Sequence, residues 1–280
     1  MTSFLLLFFA IGLLPLAIGL VLTRSSWSGF RNFPLIAWVL QCALAFNLTF
    51  FWQELWLVIP KALVPGLHPV LFHNNHEWAG TVPIAELLQG SGAVATLASG
   101  VIFTIMLGHV RPTSPTFRLF CFWMAVEGFY QSLTQLAVGT ILPGNDVGRA
   151  LAYLGVSATG HWALLVICVA AMGLTGRSLA RLLPDSVVDI RSLALPLLAV
   201  ALLSFVVIVP FRLPRNAIEV VLIPSVVNLI GIGWLTIGLA MAPTNTSHTE
   251  GPRPNIVGAA CALLGVLLFF QIVLRPGVRF

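Results

Sequence analysis

Eight stretches of about 20 or more mostly apolar residues follow one another along the chain, roughly at 3–23, 33–59, 83–109, 116–142, 149–174, 192–211, 217–242 and 255–274. A hydrocarbon layer about 30 Å thick takes about 20 helical residues to cross, and lipid offers no partner to an open backbone amide. These runs therefore predict an all-α fold: a polytopic helical bundle of about eight transmembrane helices, forming a single domain over 1–280. Only 8% of the residues are charged and 58% are hydrophobic, where a water-soluble domain carries about a quarter charged. The first run has no basic leader, so it is read as a helix, with cleavage near Gly19 as the alternative.

The formal charge of +5 comes from fourteen basic residues scattered singly through the connectors. No block of them would track a phosphate backbone, which excludes a nucleic-acid partner. Cys42, Cys121, Cys168 and Cys261 each stand alone in an apolar run, without disulfide, zinc-ribbon or redox spacing. Connectors on one side hold Arg24, Arg31, Arg111, Arg118, Arg177, Arg181, Arg191 and Arg253; the other side holds Lys61, Arg149, Arg212, Arg215, Arg275 and Arg279. The bias favours both termini and the loop 60–82 outside the cytoplasm, in a cell membrane of the bacterial inner-membrane kind.

That loop is the least hydrocarbon-like part of the chain. It places His68, His73 and His76 among Pro, Asn and Trp, between Glu54 and Glu86. Inside the runs, an ionisable group costs several kcal/mol unless it faces the bundle or water, so its position marks an inward face. Glu127, Gln131 and Gln135 are spaced by four in the fourth run, and Arg149, Tyr153, Ser157 and His161 by four in the fifth. The short connector 143–148 makes these helices antiparallel neighbours. At 1.5 Å per residue, His161 falls near mid-bilayer, about level with Glu127. The expectation is a polar track between the two stripes, rising to the histidine loop, with Asn228 and Glu219 of the seventh run as further members. Gly92, Thr96 and Gly100 form a small-residue face for close helix contact.

Imidazoles and carboxylates are the usual zinc ligands, and a catalytic zinc takes three of them plus water. His73 and His76 are the expected ligands of zinc or another divalent cofactor, with Glu54, Glu77, Glu86 or Asp146 completing the set. The run His76-Glu77-Trp78-Ala79-Gly80 matches the first half of the HExxH zinc motif, and 143–149 faintly resembles the Asp-Gly segment of site-2 intramembrane metalloproteases. Position 80 is Gly where that motif requires its second histidine, so the family is not adopted. A hydrogen-bonded loop without metal is the alternative.

Two functional expectations follow. The first is a metal-dependent membrane-embedded hydrolase acting on a lipid-like or membrane-associated substrate. In it Glu77, Glu127 and His161 are catalytic, and Arg149, Gln131 and Asn145 hold substrate. The second is a small-solute, proton-coupled or lipid carrier using the same residues without metal. A structural subunit of a membrane complex is the third reading, with Trp52, Trp56 and Trp78 as an interfacial belt. The lipid bilayer is the one partner common to all.

Overall fold

The computed structural model describes residues 6–23, 27–30, 33–110, 114–183, 190–212, 216–242 and 254–280, apart from the side chains of Ser28 and Glu219. The side chain of Glu219, the basic residues Arg24, Arg31, Arg111, Arg215 and Arg253 used for orientation, and most of the 242–254 connector therefore lie outside what is described.

The protein is a mostly helical membrane bundle. Among the described residues, six helices are long and apolar enough to cross a bilayer: α2 (Leu35–Ala62), α3 (Ile84–His109), α6 (Ala158–Arg181), α7 (Ile190–Arg212), α8 (Val220–Met241) and α9 (Ile256–Leu274). The apolar helix α1 (Leu6–Leu22) is shorter. Helix α4 (Pro115–Gly139) spans about 37 Å, yet Glu127, Gln131, Ser132, Thr134 and Gln135 make it the more polar helix. Those side chains are tolerated because α4 runs through the middle of the bundle. Its Trp123 sits edge-on against Trp38 of α2 at 6.0 Å, and both indoles are buried.

Small residues let α3 and α4 touch backbone to backbone. A β-carbon on Gly128 would lie 2.5 Å from the Gly100 amide nitrogen, so the contact exists only because both positions are glycine. Helices α6 and α9 form the periphery, with 28% and 22% of their apolar stretches buried, and the exposed Trp162, Val166, Ile167 and Leu174 give α6 its lipid-facing surface.

Two departures from the sequence reading shape the site. The expected fifth helix is broken: α5 (Asp146–Tyr153) stops, Gly155 turns with φ of 63°, and Ser157 accepts a hydrogen bond from the Gly160 amide to cap α6. Glycine in the left-handed region followed by a serine cap is a helix stop and restart. The second departure is the loop 60–82, which contains the antiparallel hairpin β1 (His68–Leu71) and β2 (His76–Ala79). The chain's last residues, β3 (Val278–Arg279), pair with the other edge of β1. Pro69 lacks an amide hydrogen, but its carbonyl still accepts from the Phe280 amide, so the central strand tolerates it.

Candidate functional site: a charged cluster under the hairpin

The hairpin lies across the bundle end where α2 finishes, α3 begins and α4 passes into α5. Its strand period sorts its side chains. His76 and Trp78 share one face of β2 and stack at 5.7 Å, 11° from parallel, while Glu77 between them is exposed on the opposite face. Glu77 is therefore placed away from the groups it was expected to assist.

His76 is held from two sides. Its Nδ1 donates to Glu54 Oε2 at 2.7 Å and its Nε2 donates to Gln89 Oε1 at 3.1 Å. The orientation of the Gln89 amide is fixed independently, because Lys61 Nζ donates to the same Oε1 at 3.1 Å and to the Leu57 carbonyl at 2.7 Å. An imidazole facing oxygen acceptors at both nitrogens satisfies them only as the doubly protonated cation. Loss of water would lower the His76 pKa, but the hydrogen bond to Glu54 and the charges of Glu54 and Asp146 outweigh it, against opposition from Lys61. The net direction is upward from the ordinary value.

Around this pair the charges balance. Lys61, His76 and Arg149 face Glu54, Glu86 and Asp146. Arg149 grips Glu86 with two parallel hydrogen bonds of 2.5 and 2.6 Å. Asp146 lies where loss of water raises its carboxyl above the ordinary value; Glu54 adds to the rise, and His76, Lys61 and Arg149 oppose it. Trp78 is the common floor of the cations, with Lys61 Nζ 4.8 Å and the Arg149 guanidinium 4.9 Å from its ring.

Beside the cluster opens a cavity of about 590 Å³. Glu54, His76 and Asp146 stand on its wall, together with six carboxamides: Gln53, Asn74, Asn75, Gln131, Gln135 and Asn145. Phe50, Leu142, Pro224 and Val227 supply its apolar lining. Gln135 Nε2 donates to Gln53 Oε1 at 2.7 Å, tying α4 to α2 across it. Asn145 Oδ1 caps α5 by accepting from the Gly148 amide at 2.6 Å. Of the residues expected from the sequence, the fold thus gathers Glu54, His76, Asp146, Gln131 and Asn145 on one cavity, with Glu86 and Arg149 paired alongside.

The others fall elsewhere. His73 is buried, but its Nε2 meets the Phe211 carbonyl at 3.1 Å, and the neighbouring Asn74 Nδ2 donates to the Arg212 carbonyl at 3.0 Å. The hairpin turn therefore caps the end of α7, where the last carbonyls of a helix lack intrahelical donors. His73 and His76 do not converge. Among the described residues no three His, Cys, Asp or Glu side chains gather to hold a metal ion, so the expected ligand set of His73, His76, Glu54, Glu86 and Asp146 does not form. Position 80 has its own physical reason to be glycine: φ is 113°, and a β-carbon there would lie 2.0 Å from the Gly66 carbonyl oxygen.

His161 is also displaced. The break before α6 puts it in that helix's first turn, with Nδ1 2.8 Å from the Thr140 carbonyl. Glu127 is 13 residues before Thr140 on α4, about 20 Å along the axis, so the expected Glu127–His161 partnership at mid-bilayer does not form. Glu127 is buried, accepts one hydrogen bond from Gln131 Nε2 at 3.1 Å, and its Oε1 has no hydrogen-bond partner. Asn228 is buried on α8.

Sequence reasoning missed Lys61, Gln89 and Trp78. A lysine seven residues after Glu54 on one helix was the available signal for the first; the other two are brought in from separate elements. It also missed Arg212, which is buried over the rings of Phe46 and Phe50 at 5.3 and 5.0 Å and bonds the Val220 carbonyl. Comparison of the chain with protein-family models, with curated proteins and with solved structures gave no match.

Proposed function

We propose that the chain is a single-domain carrier or binding protein of the membrane, taking the polar part of a ligand into the cavity under the hairpin and linking its binding to the proton on the Glu54–His76 pair. The observation that carries this reading is the double-acceptor environment of His76 on the wall of a roomy, carboxamide-rich cavity. An imidazolium held by a carboxylate at such a wall is a loaded proton, released when a ligand competes for Glu54 or Gln89. A metal-dependent hydrolase lacks the donor triad it would need among the described residues.

We read all eight expected runs as crossings. The support is alternation: the start of α1 lines a groove with Thr140 and His161 at the hairpin end, where β3 also returns to β1. On this reading both α1 and α4 traverse. The weak excess of basic residues on the opposite side supports a hairpin outside the cytoplasm.

The test uses proteoliposomes holding a pH-sensitive dye, challenged with uncharged polyols and with small amines. At least one class is expected to shift the internal pH, and Glu54→Gln and His76→Gln should each abolish the shift. Silence of the wild-type protein to both classes, in dye signal and in tryptophan fluorescence alike, would overturn the reading.

A further inference from the structure

The polar cavity has a second, apolar neighbour. A chamber of about 150 Å³ shares Gln135, Leu142, Asn145, Ile223 and Val227 with it, and extends away between Phe8, Ile11, Val138 and Ile230. Through Leu7 the chamber adjoins a third space, a groove of about 730 Å³ bordered by Leu6, Ile141, Trp162 and Leu165. Leu6 and Trp162 are 64% and 65% exposed, so this groove lies on the lipid-facing side of the bundle. The three spaces run in series: charged and amide-lined, then narrow and apolar, then open to the hydrocarbon.

The helices flanking the chamber carry a second sign. Phe9–Leu13 of α1 is wound as a π-helix, and so is Ile218–Leu222 where α8 begins. Such wide turns are rare and concentrate where a helix must give way at a functional place. Of the three π-turns among the described residues, one ends α9 at Phe270–Leu274 and the other two meet at this passage: Phe8 and Ile11 line it from one helix, and Ile223, directly after the other π-turn, lines it from the second.

Building on the cavity as a ligand site, we infer that its ligand is a single-chain amphiphile with an uncharged, hydroxyl-bearing head, which enters sideways from the bilayer between α1 and α6. The head would lie against the carboxamides, each of which both donates and accepts hydrogen bonds as a hydroxyl does. The chain would pass through the narrow chamber and lie along the outer groove. An anionic head is poorly matched. The nearby cations are committed, Arg149 to Glu86 and Lys61 to Gln89 and a backbone carbonyl, while the cavity wall itself carries Glu54 and Asp146. Lateral entry also keeps the chain in hydrocarbon throughout, so it need never cross the charged cluster under the hairpin.

The test is a binding series on the purified full chain in amphipol, read by native mass spectrometry. The probes are glycerol esterified with one acyl chain of four, eight or twelve carbons, with laurate and dodecylamine as charged controls. Affinity is expected to rise about fourfold per methylene between four and eight carbons, the transfer value for a buried CH₂. Val226→Trp and Val138→Phe, two half-buried chamber positions on different helices, should each flatten that rise while leaving the four-carbon ester bound as before. A flat chain-length dependence, or a rise that survives both substitutions, overturns the lateral route and leaves the proton-linked cavity standing. Tighter binding of laurate or dodecylamine than of the twelve-carbon ester overturns the uncharged head. Failure of every probe to bind overturns this inference; together with no dye response to polyols or amines, it removes the cavity reading as well.

Discussion

Two buried carboxyl groups are treated by the fold in opposite ways. Glu54 sits in a balanced set of charges, held at 2.7 Å by an imidazole whose other nitrogen is also committed. Glu127, deep on α4, has one neutral amide for company and an oxygen with no hydrogen-bond partner. Both residues look alike from the sequence: a glutamate in an apolar run with a glutamine beside it or one turn away. What separates them is whether other elements bring counter-charges. The hairpin, α3 and α5 all converge on the end of α2, whereas among the described residues no counter-charge reaches Glu127 in the middle of α4.

That contrast makes substitutions of the two glutamates differ in sign. Glu54→Ala strands a buried cation and should cost about 3–5 kcal/mol, seen as a lower denaturation midpoint in detergent. Glu127→Gln, by the same measurement, should leave stability unchanged or raise it, because it removes an incompletely satisfied buried carboxylate. Equal losses at the two sites would erase the distinction.

The hairpin is what delivers His76 to Glu54, so the contrast depends on its shape. Gly80→Ala forces a β-carbon against the Gly66 carbonyl in a left-handed backbone and should cost about 1–3 kcal/mol. The loss should be accompanied by a change in the fluorescence of Trp78, which stacks on His76. An alanine protein as stable as the parent would mean the hairpin base is looser than described.

The pH dependence sharpens the same point. Because the folded-state pKa of His76 lies above its unfolded value near 6.5, its stabilisation is complete below that value and is lost as pH rises through the folded pKa. Thermal stability should therefore fall as pH rises above about 6.5, and His76→Gln should remove that limb. A limb unchanged in the variant would assign it to another group. The smallest effect is expected at Glu86–Arg149. This bidentate pair has side chains 33% and 41% exposed, so Glu86→Gln should cost under about 1 kcal/mol in the same melts.

The bundle was legible because lipid leaves a chain few choices: each apolar run long enough to cross became helix within a few residues of its expected ends, except the fifth. That exception was readable too. Gly155 and Ser157 spell a stop and a cap, but four-residue spacing through them suggested continuity and carried His161 to the wrong depth. The hairpin was hidden because strands of four residues, one holding Pro69, are too short to show alternation. The cluster was legible in membership and illegible in pairing. Glu54 finds His76 across 22 positions and Glu86 finds Arg149 across 63, and these partners are set by how helix ends converge. His73, expected as a metal ligand, serves instead with Asn74 as a cap for α7.

The most direct measurement is chemical access to the cavity. In a Cys261→Ser background, which removes the exposed native thiol, Gln135→Cys on the cavity wall should react with a membrane-impermeant methanethiosulfonate added on the hairpin side, and Thr49→Cys, buried on α2, should not. Modification of neither position, or of both at similar rates, would contradict a water-filled cavity under the hairpin.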